Sequence, residues 1–210
     1  MFETHLTVPQ PARPVPRGRP EGDDVLERWA RRHGMKYTKI LLDRGRTPRQ
    51  PMLTYHGSGT LPAQRESARE WVARLHGDGF DVARVKVEAA PWNEDVPRSA
   101  EQARALPPEC YFEHHVKLVL ADEAEVDAVR RIGARHAGHV SRNARRVLDG
   151  GRHQRFVTQR FALVGRPEAH RRLEALLAEL AGAGHHAVEV EEEFVVHDDN
   201  PGLDRGWADA

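Results

Sequence analysis

The sequence predicts an α+β fold built from two diverged copies of a ferredoxin-like βαββαβ unit. The prediction rests on short segments that recur in the same order, on alternating strand patterns that open each half, and on matching amphipathic helices. Chance rarely gives ordered matches at a nearly constant offset, so these matches indicate an internal duplication. The matched segments are 2–8 with 112–118, 43–46 with 149–152, 50–54 with 154–158, 77–79 with 182–184 and 94–97 with 198–201.

The duplication divides the chain into repeats, a linker and a tail. After its first strand, the first repeat alone inserts a loop at 9–20 that is rich in proline and arginine. Frequent prolines exclude a regular helix or strand and favour a semi-extended segment. We expect this loop either to cover a ligand, to dock a partner or to be a tolerated surface insertion. The predicted units are a first repeat at 1–97, a linker at 98–110, a second repeat at 111–201 and a tail at 202–210.

Each repeat opens with an alternating strand and continues into a helix. In the first repeat Glu3, His5 and Thr7 alternate with apolar residues, which is the period of a strand with one polar and one apolar face. The expected first helices occupy 24–33 and 122–136. Each ends near a glycine, which tolerates the left-handed conformation that commonly follows a helix.

The remaining elements follow in the same order in both repeats. A glycine-containing turn joins strands two and three, and a second helix then leads into strand four. Because proline fits the first turn of a helix, Pro62 and Pro167 mark the starts of these second helices. Strands two to four are expected at 36–42, 52–56 and 82–89 in the first repeat, and at 140–148, 155–164 and 187–196 in the second.

The βαββαβ order places both helices on one face of an antiparallel sheet and leaves the other face free. Two such sheets can expose their free faces, pack them together, or curl jointly into an α+β barrel around a polar cavity. Burying many charges is costly unless a ligand, a metal or water fills the space between them. A barrel would therefore imply ligand binding.

Composition excludes several classes of partner. Among 210 residues, Lys+Arg 32 balances Asp+Glu 32, whereas a general nucleic-acid or anionic-membrane binder would carry a positive excess. No apolar run approaches the roughly 18 residues of a membrane span, and no signal-peptide pattern opens the chain, so we expect a cytoplasmic protein. Cys110 is the single cysteine, which leaves no intrachain disulfide or cysteine-based zinc site. The oligomeric state is left open.

Ionisable residues concentrate on the sheet faces that point away from the predicted helices. The fourth strand is basic there in the first repeat and acidic in the second. Solvated faces with cross-strand ion pairs are one interpretation, and a shared polar cavity is the other. A repeated Gly-Arg turn offers a further cation in each copy. The candidate ligand-binding residues are Glu3, His5, Arg46, Arg84, Lys86, Glu113, His115, Lys117 and Arg152.

The first strands also carry a candidate metal site. His5 and His115 each lie two residues from a carboxylate on the same strand face, Glu3 and Glu113 respectively. Two imidazoles and two carboxylates that converge across an axis suit a divalent transition metal such as Zn, Fe, Ni or Mn. The first strands resemble those of the vicinal-oxygen-chelate family, whose paired modules also place a histidine there. This resemblance implies a metal-dependent enzyme, although that family has the element order βαβββ.

A second resemblance points to hydrolysis. His5-Leu6-Thr7 is similar to the HxT motif of the two-histidine phosphoesterases, in which paired histidines act as acid and base while threonine holds phosphate. The resemblance implies His5 and His115 as the catalytic pair. The second copy carries Lys117 where the motif has threonine.

Three classes of function remain open. We favour a protein that binds a small polar or anionic molecule between the repeats, because the repeats share polar residues on strand one while their core residues vary among apolar types. The alternatives are an enzyme of either kind above, or a protein-interaction module that uses the polar sheets and the 9–20 loop. The opposed charges of the two faces favour a zwitterionic or mixed ligand.

Overall fold

The computed structural model of the chain describes residues 1–9, 22–145 and 148–208. The predicted loop at 9–20 lies outside these ranges, apart from Pro9. Within them the strands are β1 (Phe2–Thr7), β2 (Lys36–Leu42), β3 (Arg49–Gly57), β4 (Arg84–Ala89), β5 (Tyr111–Leu120), β6 (Gly138–Asn143), β7 (His153–Ala162) and β8 (Glu189–Asp198). The helices are α1 (Gly22–Arg32), α2 (Leu61–Gly77), α3 (Ala100–Arg104), α4 (Glu123–Arg135) and α5 (Arg166–Gly182).

The strands form one closed antiparallel barrel in the order β1-β3-β2-β6-β7-β5-β8-β4. Helices and strands are mixed as the α+β prediction requires, and of the arrangements left open by the sequence the single barrel is the one observed. The order β4-β1-β3-β2 in the first half recurs as β8-β5-β7-β6 in the second. The halves join where β2 pairs with β6 and where β4 pairs with β8.

The two halves also share their strand register. His5 pairs with Thr54 on β3, and His115 pairs with Thr158 on β7. Because successive side chains of a strand point to opposite faces, this common register sends corresponding side chains of both halves into the barrel.

The apolar core lies outside the barrel, between its outer face and the helices. One cluster packs Leu6 and Leu53 of the strands against Leu26 and Trp29 of α1 and against Leu75 of α2. A second cluster does the same in the other half, with Val116, Leu118, Val140 and Val157 against Val126, Val129, Ile132, Leu173, Leu176 and Leu180. The helices therefore take the apolar strand face, and the polar face lines the interior.

Helices α2 and α4 each begin at a side chain that caps a free N–H group. Thr60 accepts a hydrogen bond from the Ala63 N–H at the start of α2, and Asp122 accepts one from the Glu125 N–H at the start of α4. Among the described helices, none has the length and apolar character needed to cross a membrane.

Strand β6 ends at Asn143, earlier than the range 140–148 predicted from its apolar pattern. The Asn143 Oδ1 accepts a hydrogen bond from the Arg145 N–H at 3.1 Å. Such an Asx turn gives the chain a local alternative to further strand pairing, which explains the early end.

The C-terminal segment closes one end of the barrel. After a 3₁₀ turn at Pro201–Asp204, the buried Trp207 ring donates a hydrogen bond to the Val140 carbonyl at 2.9 Å. Gly45 lies beneath it with a φ of +108°, and a Cβ added there would lie 3.1 Å from the Trp207 Cβ. The glycine of the first repeated Gly-Arg turn thus makes room for Trp207.

We predict that Trp207→Ala lowers the free energy of unfolding by about 3–5 kcal/mol, because it empties a packed aromatic site and removes a buried hydrogen bond. Chemical denaturation followed by circular dichroism measures this change. Trp92→Ala is the matched control, since Trp92 is 72% exposed and should change stability by less than about 0.5 kcal/mol. Equal midpoints for the two variants would contradict the closing role of the segment.

Candidate functional site

The barrel encloses a cavity of about 320 Å³. Every strand contributes at least one inward side chain to its wall, and Asp204 and Trp207 of the C-terminal segment complete the lining. The polar faces predicted from the sequence therefore meet inside one closed structure. Representative lining residues, one from each strand, are Glu3, Thr38, Thr54, Lys86, His115, Ser141, Arg160 and Glu193.

The structure brings most of the sequence-predicted site residues together. Lys117 does not line the cavity and instead forms an ion pair with Glu189. Arg46 and Arg152 are exposed on their turns, where the Arg152 Nε donates to the Asp149 carbonyl at 3.3 Å. The predicted residues that do line the cavity are Glu3, His5, Arg84, Lys86, Glu113 and His115.

Arg84 is the centre of a buried ion-pair network. Its Nε and one terminal nitrogen donate to Asp198 at 2.9 and 2.5 Å, and its other terminal nitrogen donates to Asp204 at 2.7 Å. The Tyr111 hydroxyl donates to Asp198 at 2.9 Å. Burial alone would lower the pKa of Arg84, but the hydrogen bonds to Asp198 and the attraction of Asp204 outweigh it, so the net shift is upward. Arg84 thus holds the C-terminal segment against the barrel as a permanent cation.

The other buried cations of the cavity are also paired with carboxylates. Arg160 donates to Glu113 at 2.5 Å and contacts Asp204 at 2.7 Å. Lys86 forms ion pairs with Glu113 and, at 2.5 Å, with Glu88. Burial would lower the pKa of Lys86, but attraction to Glu113 and Glu88 raises it overall. An anionic ligand would have to compete with these carboxylates for its cations.

His5 uses both of its ring nitrogens. Its Nε2 lies 2.7 Å from Glu88 and its Nδ1 lies 2.8 Å from the Thr54 hydroxyl. With the proton on Nε2, the ring donates to Glu88 and accepts from Thr54. Burial would raise the pKa of Glu88, but attraction to Lys86 and His5 outweighs burial and lowers it. His5 therefore fixes the orientation of the Glu88 carboxylate.

His115 uses only one ring nitrogen in this way. Its Nδ1 lies 2.9 Å from the Thr158 hydroxyl, while its Nε2 lies 3.5 Å from Glu193 and 3.8 Å from Glu113. Burial lowers the pKa of His115 and outweighs the attraction of Glu113, which favours the neutral ring. Burial and repulsion from Glu88 raise the pKa of Glu193 well above its ordinary value. The Nε2 side of His115 is thus a coordinating position beside a carboxyl group.

Glu88, His115 and Glu193 form a group that could hold a metal ion, because one ligand atom of each lies within 4.8 Å of the others. The group spans the line where β4 pairs with β8. The alternation of strand four places both carboxylates on its polar face, and in the structure Glu88 pairs with Glu3 and Glu193 pairs with Glu113 in the same register. The predicted metal set took its carboxylates from strand one alone, so the group shares only His115 with the predicted set Glu3, His5, Glu113 and His115.

The two halves differ at one equivalent position beside this group. Lys86 pairs with His5 across β1 and β4, whereas Glu191 pairs with His115 across β5 and β8. The first half thus supplies its own ammonium to the carboxylates around it, while the second half adds another carboxylate at the corresponding place.

Comparison with known protein families finds none that matches this chain, and comparison with curated proteins finds no relative. Neither resemblance noted on the first strands gains support from these comparisons. The geometry of the cavity is therefore the basis for assigning a function.

We predict that Arg84→Met lowers the free energy of unfolding by about 3–5 kcal/mol, because it leaves Asp198 and Asp204 buried without their main cation. The measurement is urea denaturation at neutral pH. Arg152→Met removes an exposed arginine as the control and should change stability by less than about 0.5 kcal/mol. A similar small change for Arg84→Met would mean that the network contributes little.

Proposed function

We propose that this protein binds a divalent transition-metal ion inside the barrel, with Glu88, His115 and Glu193 as ligands. The observation that carries the proposal is the asymmetry between Lys86 and Glu191. The Lys86 ammonium group pairs with Glu88 and Glu113, whereas the equivalent position in the second half carries Glu191, whose side chain is exposed. Glu193 is largely buried beside His115, and on this proposal a metal ion from solution neutralises it together with Glu88.

The spacing of the group supports this proposal. Two ligand atoms that each lie roughly 2.1 Å from a tetrahedral metal are about 3.4 Å apart. The distance from the His115 Nε2 to the Glu193 carboxylate is 3.5 Å, close to this spacing. One imidazole and two carboxylates suit Zn²⁺, Mn²⁺ or Fe²⁺ better than Ca²⁺ or Mg²⁺, which prefer oxygen ligands alone.

The surrounding hydrogen bonds support the same ligand set. When the His115 Nδ1 donates to Thr158, its Nε2 lone pair is free to bind a metal. His5 donates to Glu88 and so orients a second ligand. Partners of this kind fix the tautomer and direction of metal ligands in proteins. On this proposal His5 and Glu113 act around the metal ligands, in place of the roles as ligands predicted for them from the sequence.

Three protein ligands leave positions on the metal open, and the cavity of about 320 Å³ has room for a small molecule there. We therefore retain the sequence-based hypothesis of a small polar ligand held between the repeats 1–97 and 111–201. Pairing of Arg84, Lys86 and Arg160 with carboxylates favours a neutral or cationic ligand over an anionic one. The recurring strand order supports the duplication of a ferredoxin-like unit as the origin of this symmetry.

Protein purified without a His tag and dialysed after incubation with Zn²⁺ or Mn²⁺ should retain about one metal per chain. Elemental analysis measures the stoichiometry. His115→Gln and Glu193→Gln should each lower metal affinity at least about tenfold, since each removes a direct ligand. Mg²⁺ should bind far more weakly than Zn²⁺.

His186→Gln is the control for the loss of a histidine, because His186 is exposed and does not line the cavity. Retention of metal by this variant and loss by His115→Gln would support the ligand set. The ligand set would be refuted if wild-type protein held no metal after loading, or if all variants retained metal equally.

A further inference from the structure

A second depression of about 370 Å³ adjoins the cavity on its acidic side. The two share Glu3, Glu191 and Glu193 among their lining residues. The depression adds Trp92, which is 72% exposed, and the exposed Val190. We name it the vestibule; it combines carboxylates with an apolar rim, whereas an ordinary solvated surface seldom exposes a tryptophan to this extent.

The first half of the barrel shows how such carboxylates are neutralised by a cation. There the Lys86 ammonium group lies between Glu88 and Glu113, with ion pairs to both. In the shared register Glu88 corresponds to Glu193, because they pair with Glu3 and Glu113 respectively. The counterparts of Glu88 and Glu113 in the opposite halves are therefore Glu193 and Glu3.

Glu191 stands where the lysine would be in the second half. An ammonium group between Glu193 and Glu3 would thus meet one carboxylate from each half. The second half provides no such group of its own, because the position equivalent to Lys86 carries Glu191. Glu3 and Glu193 both line the cavity as well as the vestibule, so they lie where the two spaces meet.

We infer that the vestibule binds a small organic primary amine, with its ammonium group between Glu3 and Glu193 and its carbon chain against Trp92 and Val190. The inference does not rest on the proposed metal, although the two cations share Glu193 as a neighbour. Lys86 is the precedent within this barrel. Its ammonium group ends a flexible carbon chain, as does that of a primary alkyl or arylalkyl amine.

The chemistry of the vestibule sets the expected selectivity. A primary ammonium group has three N–H donors for carboxylates, whereas a quaternary ammonium group has none. The Trp92 ring adds a cation–π or apolar contact. Glu191 repels anions, so a carboxylate of the same shape should be excluded.

Isothermal titration calorimetry with 2-phenylethylamine on chelator-treated protein at neutral pH tests the inference. Wild-type protein should bind this amine, while 3-phenylpropionate should not bind and the trimethylated ammonium analogue should bind at least about tenfold more weakly. Trp92→Ala should weaken amine binding by about fivefold. Equal binding of the three compounds, or no binding of the amine, would overturn the inference.

Glu191→Lys gives a sharper test, because it places a lysine at the position equivalent to Lys86. This variant should unfold at a higher Tm than wild type and lose amine binding at least tenfold, since its own ammonium occupies the site. Glu174→Lys makes the same charge change at an exposed site on α5 and should do neither. Unchanged amine binding in Glu191→Lys, with cooperative unfolding preserved, would refute the assigned position.

The amine test and the metal test fail separately. His115→Gln should lose metal but keep amine binding, because His115 does not line the vestibule. Amine binding without metal in any variant would leave this inference standing and remove the metal proposal. Metal binding without amine binding would support the metal proposal and overturn this inference.

Discussion

Charge compensation inside a closed barrel is the constraint on which this structure depends. Closing the sheet turns the polar faces of all strands inward, and a buried charge is tolerated only when an opposite charge and hydrogen bonds satisfy it. Arg84, Lys86 and Arg160 accordingly meet carboxylates from other strands and from the C-terminal segment. Beside His115, Glu113 is paired with Lys86 and Arg160, and Glu193 is the carboxylate for which we propose a cation from solution. Architecture and candidate chemistry therefore have one physical origin.

The C-terminal segment belongs to this compensation as much as any strand does. Asp204 receives hydrogen bonds from Arg84 and Gln50 and an ion pair from Arg160, so one carboxylate joins β3, β4 and β7. Attraction to Arg160 and Arg84 outweighs the effect of burial and lowers the pKa of Asp204. The segment closes the barrel and also supplies a charge that the strands do not provide.

Local periodicity predicted much of this from the sequence, because alternation on a strand reports directly which side chains share a face. Glu3, His5 and Glu113 were expected on the free face and line the cavity. The Glu88–His115–Glu193 group could not be anticipated in the same way, since it depends on the pairing of β4 with β8. That pairing includes a register shift between Val87 and Glu88, which no pattern within either strand reveals. Asp204 was missed because its partners are distant in sequence.

Strand pairings between the halves have a consequence for how the two sides of the cavity can evolve. Two identical chains assembled around a twofold axis must present the same residue on both sides, so any substitution appears twice. A single chain that carries both halves has no such requirement. Lysine at 86 and glutamate at 191 are a difference that a symmetric homodimer could not encode; on our proposals it leaves one side of the interior neutralised by the chain and the other open to a cation. Covalent linkage thereby allows the two sides of one cavity to take different roles.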